Sequence, residues 1–460
     1  MGLIVVGTFL LAAILLLATS RFFEDPKAFL LSPVIVFAVA WGASALIYGS
    51  GQDFIRDDTA YSLLGFYLAF VIPGAWMMYA RSWETIGRPP VVIEPHVARR
   101  LVVILLTMQA LAAVSAVTYL LSAMNYADMP FDSVPPMSAL RGVLATQKYE
   151  VPLPFRLLSQ FRYGNYFAPI AMMVLFRDGH IRKWAVIASI TLACLYPLCF
   201  LERSGLMRVL ILALFAYLFV FEIRVAKLLR LGALLAVLVT AFVVLVPILR
   251  GQGDEGGGNL YNYVAGAWSG FDNFVSGSGS GQVVVLENQD IFVRPGGYDF
   301  VHSDSPALVS IMTEAYRLCN AVNICQQKLA NFGEYVYDPI YTNIYTAARS
   351  FYQDLGFLGM IPAVAFVSMI FHFLYLSTMR NASVAATYTA AYIAFTCVMS
   401  VLSDTFLLRD MVFPLIIIYA LAKICGGWQL WFGNRRASHG RLAITNPTSD
   451  AGPGPMGNNS

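Results

Sequence analysis

Arginine recurs in this chain where apolar sequence leaves it little to do. Arg349 stands in Tyr341-Thr-Asn-Ile-Tyr-Thr-Ala-Ala-Arg-Ser-Phe-Tyr-Gln-Asp-Leu-Gly-Phe-Leu-Gly359, where a long polar stretch gives way to an apolar one. A helix from Thr346 onward would set Tyr345, Arg349 and Tyr352 on one face, at i, i+4 and i+7. Arg203 and Arg208 occur in Glu202-Arg-Ser-Gly-Leu-Met-Arg208, a very short polar link between two apolar runs. Arg162 follows Arg141, Lys148 and Arg156 and lies beside Tyr163 and Tyr166. A guanidinium stays charged and can grip phosphate or carboxylate through two parallel hydrogen bonds, so the chemistry on offer is anion recognition at a membrane surface. Plainer alternatives exist for each. Arg349 could anchor an aromatic belt at the headgroups, and Glu202 could pair with Arg203 or Arg208 at the interface.

Group transfer at such a site would also need a base. His302, in Tyr298-Asp-Phe-Val-His-Ser-Asp304, titrates near neutrality and is a candidate, as are Glu314 and Glu334; an ordinary loop histidine is the alternative. Asp354 suits orienting Arg349 or Tyr352 better than taking a proton, and Asp404, Arg409 and Asp410 form another short charged link. His372 falls within an apolar run, where packing accounts for it. There is no Walker sequence, HExxH or Gly-x-Ser-x-Gly. Gly251-Gln-Gly-Asp-Glu-Gly256 matches GxGxxG in letters, but it follows an apolar run rather than a strand and carries two acids that would repel phosphate. The Asp-x-Asp pattern of metal-dependent nucleotide-sugar transferases is missing too, so neither metal nor cofactor is expected.

The elements that must position these residues follow from composition. The chain of 460 residues is 58% hydrophobic and 12% charged, with a mean hydropathy of +0.65. A soluble domain carries about 25% charged residues. Repeated apolar runs near the roughly 20 residues that cross a bilayer predict an all-α polytopic membrane protein. About eleven transmembrane helices are expected, at roughly 3–19, 29–49, 61–80, 101–123, 163–177, 184–201, 206–222, 231–249, 351–378, 384–402 and 411–425. The run at 163–177 is short and follows Arg156 and Arg162, which suits a tilted or partly interfacial helix. A net charge of +3 is too small to point to nucleic acid.

Of the 30 Lys and Arg residues, 17 fall in one set of mostly short loops, which predicts that set to be cytoplasmic, the N-terminus outside and the C-terminus inside. Residues 1–249 then hold eight spans with an outer loop at about 125–162, 250–350 form a large outer loop, 351–425 hold three spans, and 433–460 form a polar, disordered tail. Within the large loop, 305–331 has apolar residues at helical spacing and suits one or two helices. Cys319 and Cys325, in an oxidising exterior, read as a disulfide, with two free core thiols as the alternative. Cys194, Cys199, Cys397 and Cys425 read as small packing residues.

Thr342-Asn343-Ile344-Tyr345-Thr346, with Arg349, Tyr352, Asp354, Gly356 and Gly359, resembles the Asn-x-Tyr-Thr…Tyr-x-Asp-x-Gly-x-x-Gly signature of bacterial oligosaccharide repeat-unit polymerases, the Wzy-type O-antigen polymerases. Glu202-Arg203-Ser-Gly-Leu is similar to their short Arg-Ser/Thr turn, and span count and loop layout fit, though specific residues match over only about 30 positions. The resemblance implies a periplasmic glycosyltransferase of the membrane GT-C type in the bacterial inner membrane. It would transfer the growing polysaccharide from polyprenyl diphosphate to the non-reducing end of an incoming lipid-linked repeat unit, as in lipopolysaccharide biosynthesis, with a chain-length-regulating co-polymerase as a partner. Arg349 and Arg203 would hold the diphosphate, with Arg208 and Arg162 next, and His302 would take the acceptor proton. Asn343, Tyr345, Tyr352 and Asp354 would line the substrate site. An O-antigen ligase, acting on a lipid A core, and a glycan or solute transporter remain as other readings.

Overall fold

The computed structural model describes residues 2–20, 26–49, 55–80, 93–126, 140, 151–200, 203–221, 260–275, 291–292, 329–330, 346–379, 383–402 and 408–433. Apart from turns and short links these are helical, with a two-residue antiparallel pair, β1 (Ile291–Phe292) with β2 (Leu329–Ala330), in the register Ile291 to Ala330 and Phe292 to Leu329. The helices are α1 (Gly2–Thr19), α2 (Pro26–Leu30), α3 (Pro33–Gly49), α4 (Asp57–Ala80), α5 (Pro95–Tyr126), α6 (Leu153–Leu158), α7 (Gly164–Arg177), α8 (Lys183–Cys199), α9 (Arg203–Val220), α10 (Leu260–Val275), α11 (Ala347–Met379), α12 (Val384–Met399), α13 (Leu408–Cys425) and α14 (Trp428–Phe432). A 3₁₀ turn, Ser159–Tyr163, joins α6 to α7.

Among the described residues, three helical stretches are long and apolar enough to cross a membrane: Asp57–Ala80, Pro95–Tyr126 and Leu355–Met379. Six shorter apolar stretches, in α1, α3, α8, α9, α12 and α13, accompany them. Outward-facing positions stay apolar, with Leu358 82%, Ile424 71% and Trp76 66% exposed, which water would penalise and hydrocarbon would not. The expected span at 231–249 lies outside the described residues. The helix expected at 163–177, tilted or partly interfacial, is α7. Residues 164–175 of α7 are buried in all but one position, enclosed by α5, α8, α9 and α12, because Arg156 and Arg162 belong to α6 and the 3₁₀ turn rather than to the helix body. The helices expected at 305–331 lie mostly outside the described residues, and their last part, Leu329–Ala330, is strand.

Polar groups in the core link one helix to another. Gln109 of α5 donates from Nε2 to the carbonyl of Ser189 at 2.9 Å and accepts from its hydroxyl at 2.8 Å, a closed pair between α5 and α8. Trp268 of α10 donates to Ser44 Oγ of α3 at 2.7 Å. At α12 the Ser383 hydroxyl caps the helix by accepting from the Ala386 N–H at 3.2 Å. Between α4 and α11, which share the most extensive interface among the described helices, His372 packs against Gly74; a Cβ there would stand 2.4 Å from its Cε1.

Helix α11 is two rods. Gly356 interrupts it with φ 65° and ψ −179°, a backbone conformation that only glycine adopts readily. Gly359, one turn on, has room for no Cβ, which would meet Leu355 Cβ at 2.8 Å. The first rod, from Ala347, carries Arg349, and the second is the apolar stretch from Leu355.

Candidate functional site

The 3₁₀ turn runs into α7 with no change of helical sense, since Tyr163 (φ −64°) and Gly164 (φ −61°) both keep right-handed helical angles. Arg162, Asn165 and Tyr166 therefore lie at i, i+3 and i+4 and share a face. Ala193, Tyr196 and Pro197 repeat that spacing on the last turns of α8, as do Gly205, Arg208 and Val209 on the first turns of α9. These three faces, with Tyr163, enclose a cavity of about 140 Å³. Arginine and tyrosine dominate its lining, and no carboxylate is among the lining residues.

Aromatic rings hold the guanidiniums. Arg208 Cζ lies 5.4 Å from the Tyr166 ring centre and 5.6 Å from that of Phe395 in α12, and its Nη1 donates to the Tyr166 hydroxyl at 3.3 Å. Arg162 Cζ lies 5.2 Å from the Tyr163 ring, and its Nη2 donates to the Tyr163 hydroxyl at 3.4 Å. A cation within about 6 Å of a ring face gains about 0.5–2 kcal/mol. Rings position a guanidinium without cancelling its charge. At the other end of α7, Arg177 grips both oxygens of Asp178, at 2.7 and 3.0 Å. Proline shapes the wall further. Pro169 has no N–H to give the carbonyl of Asn165 four residues back, and Pro197 none for that of Ala193.

Arg349 does not line this cavity. It sits in the first turn of α11, 8% exposed, with its N–H bonded to the Thr346 carbonyl at 3.1 Å. The Ala347 N–H donates to the Ser400 carbonyl at 2.8 Å, and the Ser400 hydroxyl accepts from Trp41 Nε1 at 2.9 Å. Tyr352 meets the edge of Phe271 in α10, with ring centres 5.9 Å apart. Of the expected face Tyr345, Arg349 and Tyr352, the last two lie in the first rod of α11 and Tyr345 lies outside the described residues; Arg349 itself is buried rather than exposed. Phe395 and Ser400 tie the two arginine regions to one end of α12. Five residues of helix separate them by about 7.5 Å along the axis and about 140° around it.

Of the expected site residues, Arg162 and Arg208 come together. Arg203 opens α9 and Asp354 lies in α11, but their side chains are outside the described set. His302, Asn343, Tyr345, Cys319 and Cys325 lie outside the described residues. Cys194, Cys199, Cys397 and Cys425 are free thiols, the last two buried. Asn165, Tyr196, Phe395 and the whole of α10 were not anticipated. For Asn165 the signal was present in the i, i+3, i+4 spacing from Arg162. No protein-family model matches the chain, and no curated protein or solved structure does either.

Proposed function

We propose that this chain polymerises polyprenyl-diphosphate-linked oligosaccharide repeat units at the periplasmic face of a bacterial inner membrane. The observation that carries the reading is the convergence of Arg162 and Arg208 on one tyrosine-lined cavity, beside the end of α12 on which the turn bearing Arg349 also docks. In the transfer, the bond between the sugar's anomeric carbon and the diphosphate oxygen breaks, and the lipid diphosphate leaves with the electron pair. A hydroxyl at the non-reducing end of the incoming unit bonds to that carbon and gives its proton to a base, for which His302 is the candidate. Fixed guanidiniums stabilise the charge growing on the leaving diphosphate, and in a site with little water such preorganised donors act at close to full strength. Phenol rings stack on sugar faces. About eleven spans and the large periplasmic loop belong to this proposal.

The test is the length of surface polysaccharide in cells whose only copy is Arg208→Ala or Arg349→Ala. The proposal expects lipid cores capped by single repeat units, with Arg208→Ala still inserted and abundant. Long chains persisting in both variants would sink it. Loss of all surface glycan, single-unit caps included, would favour a ligase or a transporter.

A further inference from the structure

The cavity holds one polar group that an anion alone does not explain. Asn165 is 3% exposed, and its Oδ1 has no hydrogen-bond partner among the described residues. It lines the cavity on the same face as Arg162 and Tyr166. A buried amide oxygen left unmatched is destabilising, by an amount comparable to a lost hydrogen bond, so its retention asks for a donor that arrives with the ligand. A deprotonated phosphate oxygen only accepts and cannot supply that donor. The ligand must therefore present an acidic group to the arginines and an O–H or N–H donor to Asn165, within a single small space. At roughly 10–15 Å³ for each water-sized group, a cavity of about 140 Å³ has room for about ten such groups. That suits one phosphate and the near edge of one sugar ring, in a cavity that is partly open to its surroundings.

Resting on the reading of the cavity as an anion site, we propose that Asn165 is a specificity-determining residue that distinguishes a glycosyl phosphate from bare phosphate. It accepts a hydrogen bond from the hydroxyl or acetamido N–H on the sugar carbon next to the phosphorylated one. The carbonyls of Asn165 and Ala193, deprived of a helical N–H by Pro169 and Pro197, add acceptor capacity to the same wall.

The experiment is calorimetric titration of the full chain in detergent with glucose 1-phosphate, N-acetylglucosamine 1-phosphate, 2-deoxyglucose 1-phosphate and inorganic phosphate. The two sugars with a donor at the second carbon are expected to bind about tenfold more tightly than the deoxy sugar and inorganic phosphate, the weight of about one hydrogen bond. Asn165→Leu, close in shape but without polar atoms, should erase that difference between the sugars and hold or raise the melting temperature. Asn165→Ala serves as a second variant with the same binding outcome. Equal binding of all four probes to the native chain overturns the inference, as does discrimination that survives in both variants. If inorganic phosphate binds but no sugar preference exists, only the role of Asn165 falls. If none of the probes binds, the anion-site reading falls with it.

Discussion

Two arginine regions, one half-buried and one buried, lie at one end of α12, and they are built differently. Arg162 and Arg208 face a cavity and are held by the faces of Tyr163, Tyr166 and Phe395. Arg349 is 8% exposed, in a turn joined to α12 through Ser400 and so to Trp41 in α3. The first arrangement leaves space beside the charge, and the second packs secondary structure around it. The difference is between guanidiniums with open space beside them and one enclosed by the fold.

The greatest loss of activity is expected at the cavity. Arg208→Ala removes a charged donor there and should lower polymerisation of purified lipid-linked repeat units by about 10²–10³-fold, with little change in melting temperature. Arg349→Ala should lower activity too, but also cost about 2–5 kcal/mol of stability, because a long buried side chain leaves a gap; denaturant titration alongside Arg208→Ala checks the contrast. Equal stability of the two variants would mean that the regions are not distinct in kind. Gly356→Ala forces a side chain into a conformation open chiefly to glycine, for about 1–3 kcal/mol. It should impair turnover while leaving inorganic phosphate affinity intact, since the cavity is built from α7, α8, α9 and the 3₁₀ turn. The mildest change is Tyr166→Phe, which keeps the ring beside Arg208 and removes the hydroxyl that accepts from it; phosphate affinity should fall by about threefold to tenfold.

Much of the fold was legible because the apolar runs are long. Expected spans at 61–80, 101–123 and 351–378 fall within Asp57–Ala80, Pro95–Tyr126 and Ala347–Met379. Helix α10 was hidden because it lies between two glycine-rich stretches, and its apolar face, ending in Trp268 and Phe271, emerges only once α3 is there to cover it. The basic residues at Arg156 and Arg162 marked 163–177 as peripheral, whereas the chain changes from 3₁₀ turn to α-helix just after Arg162 and buries the body of α7. Arg162 and Arg208 were visible as charges out of place. Their meeting was not, because nothing local in α9 announces Tyr166, 42 positions earlier, or Phe395 in α12. Asn165 was overlooked because a single amide in an apolar helix carries no weight until the space beside it is known.

The break at Gly356 has a mechanical consequence. A continuous helix would pass every tilt of its membrane segment on to the turn that bears Arg349, and bilayers of different thickness tilt such segments by different amounts. With the rods joined at one glycine, the apolar rod can lean to match its lipid while the short rod stays docked on α12 through Ala347 and Ser400. The alignment of Arg349 is thereby insulated from the thickness of the membrane around it.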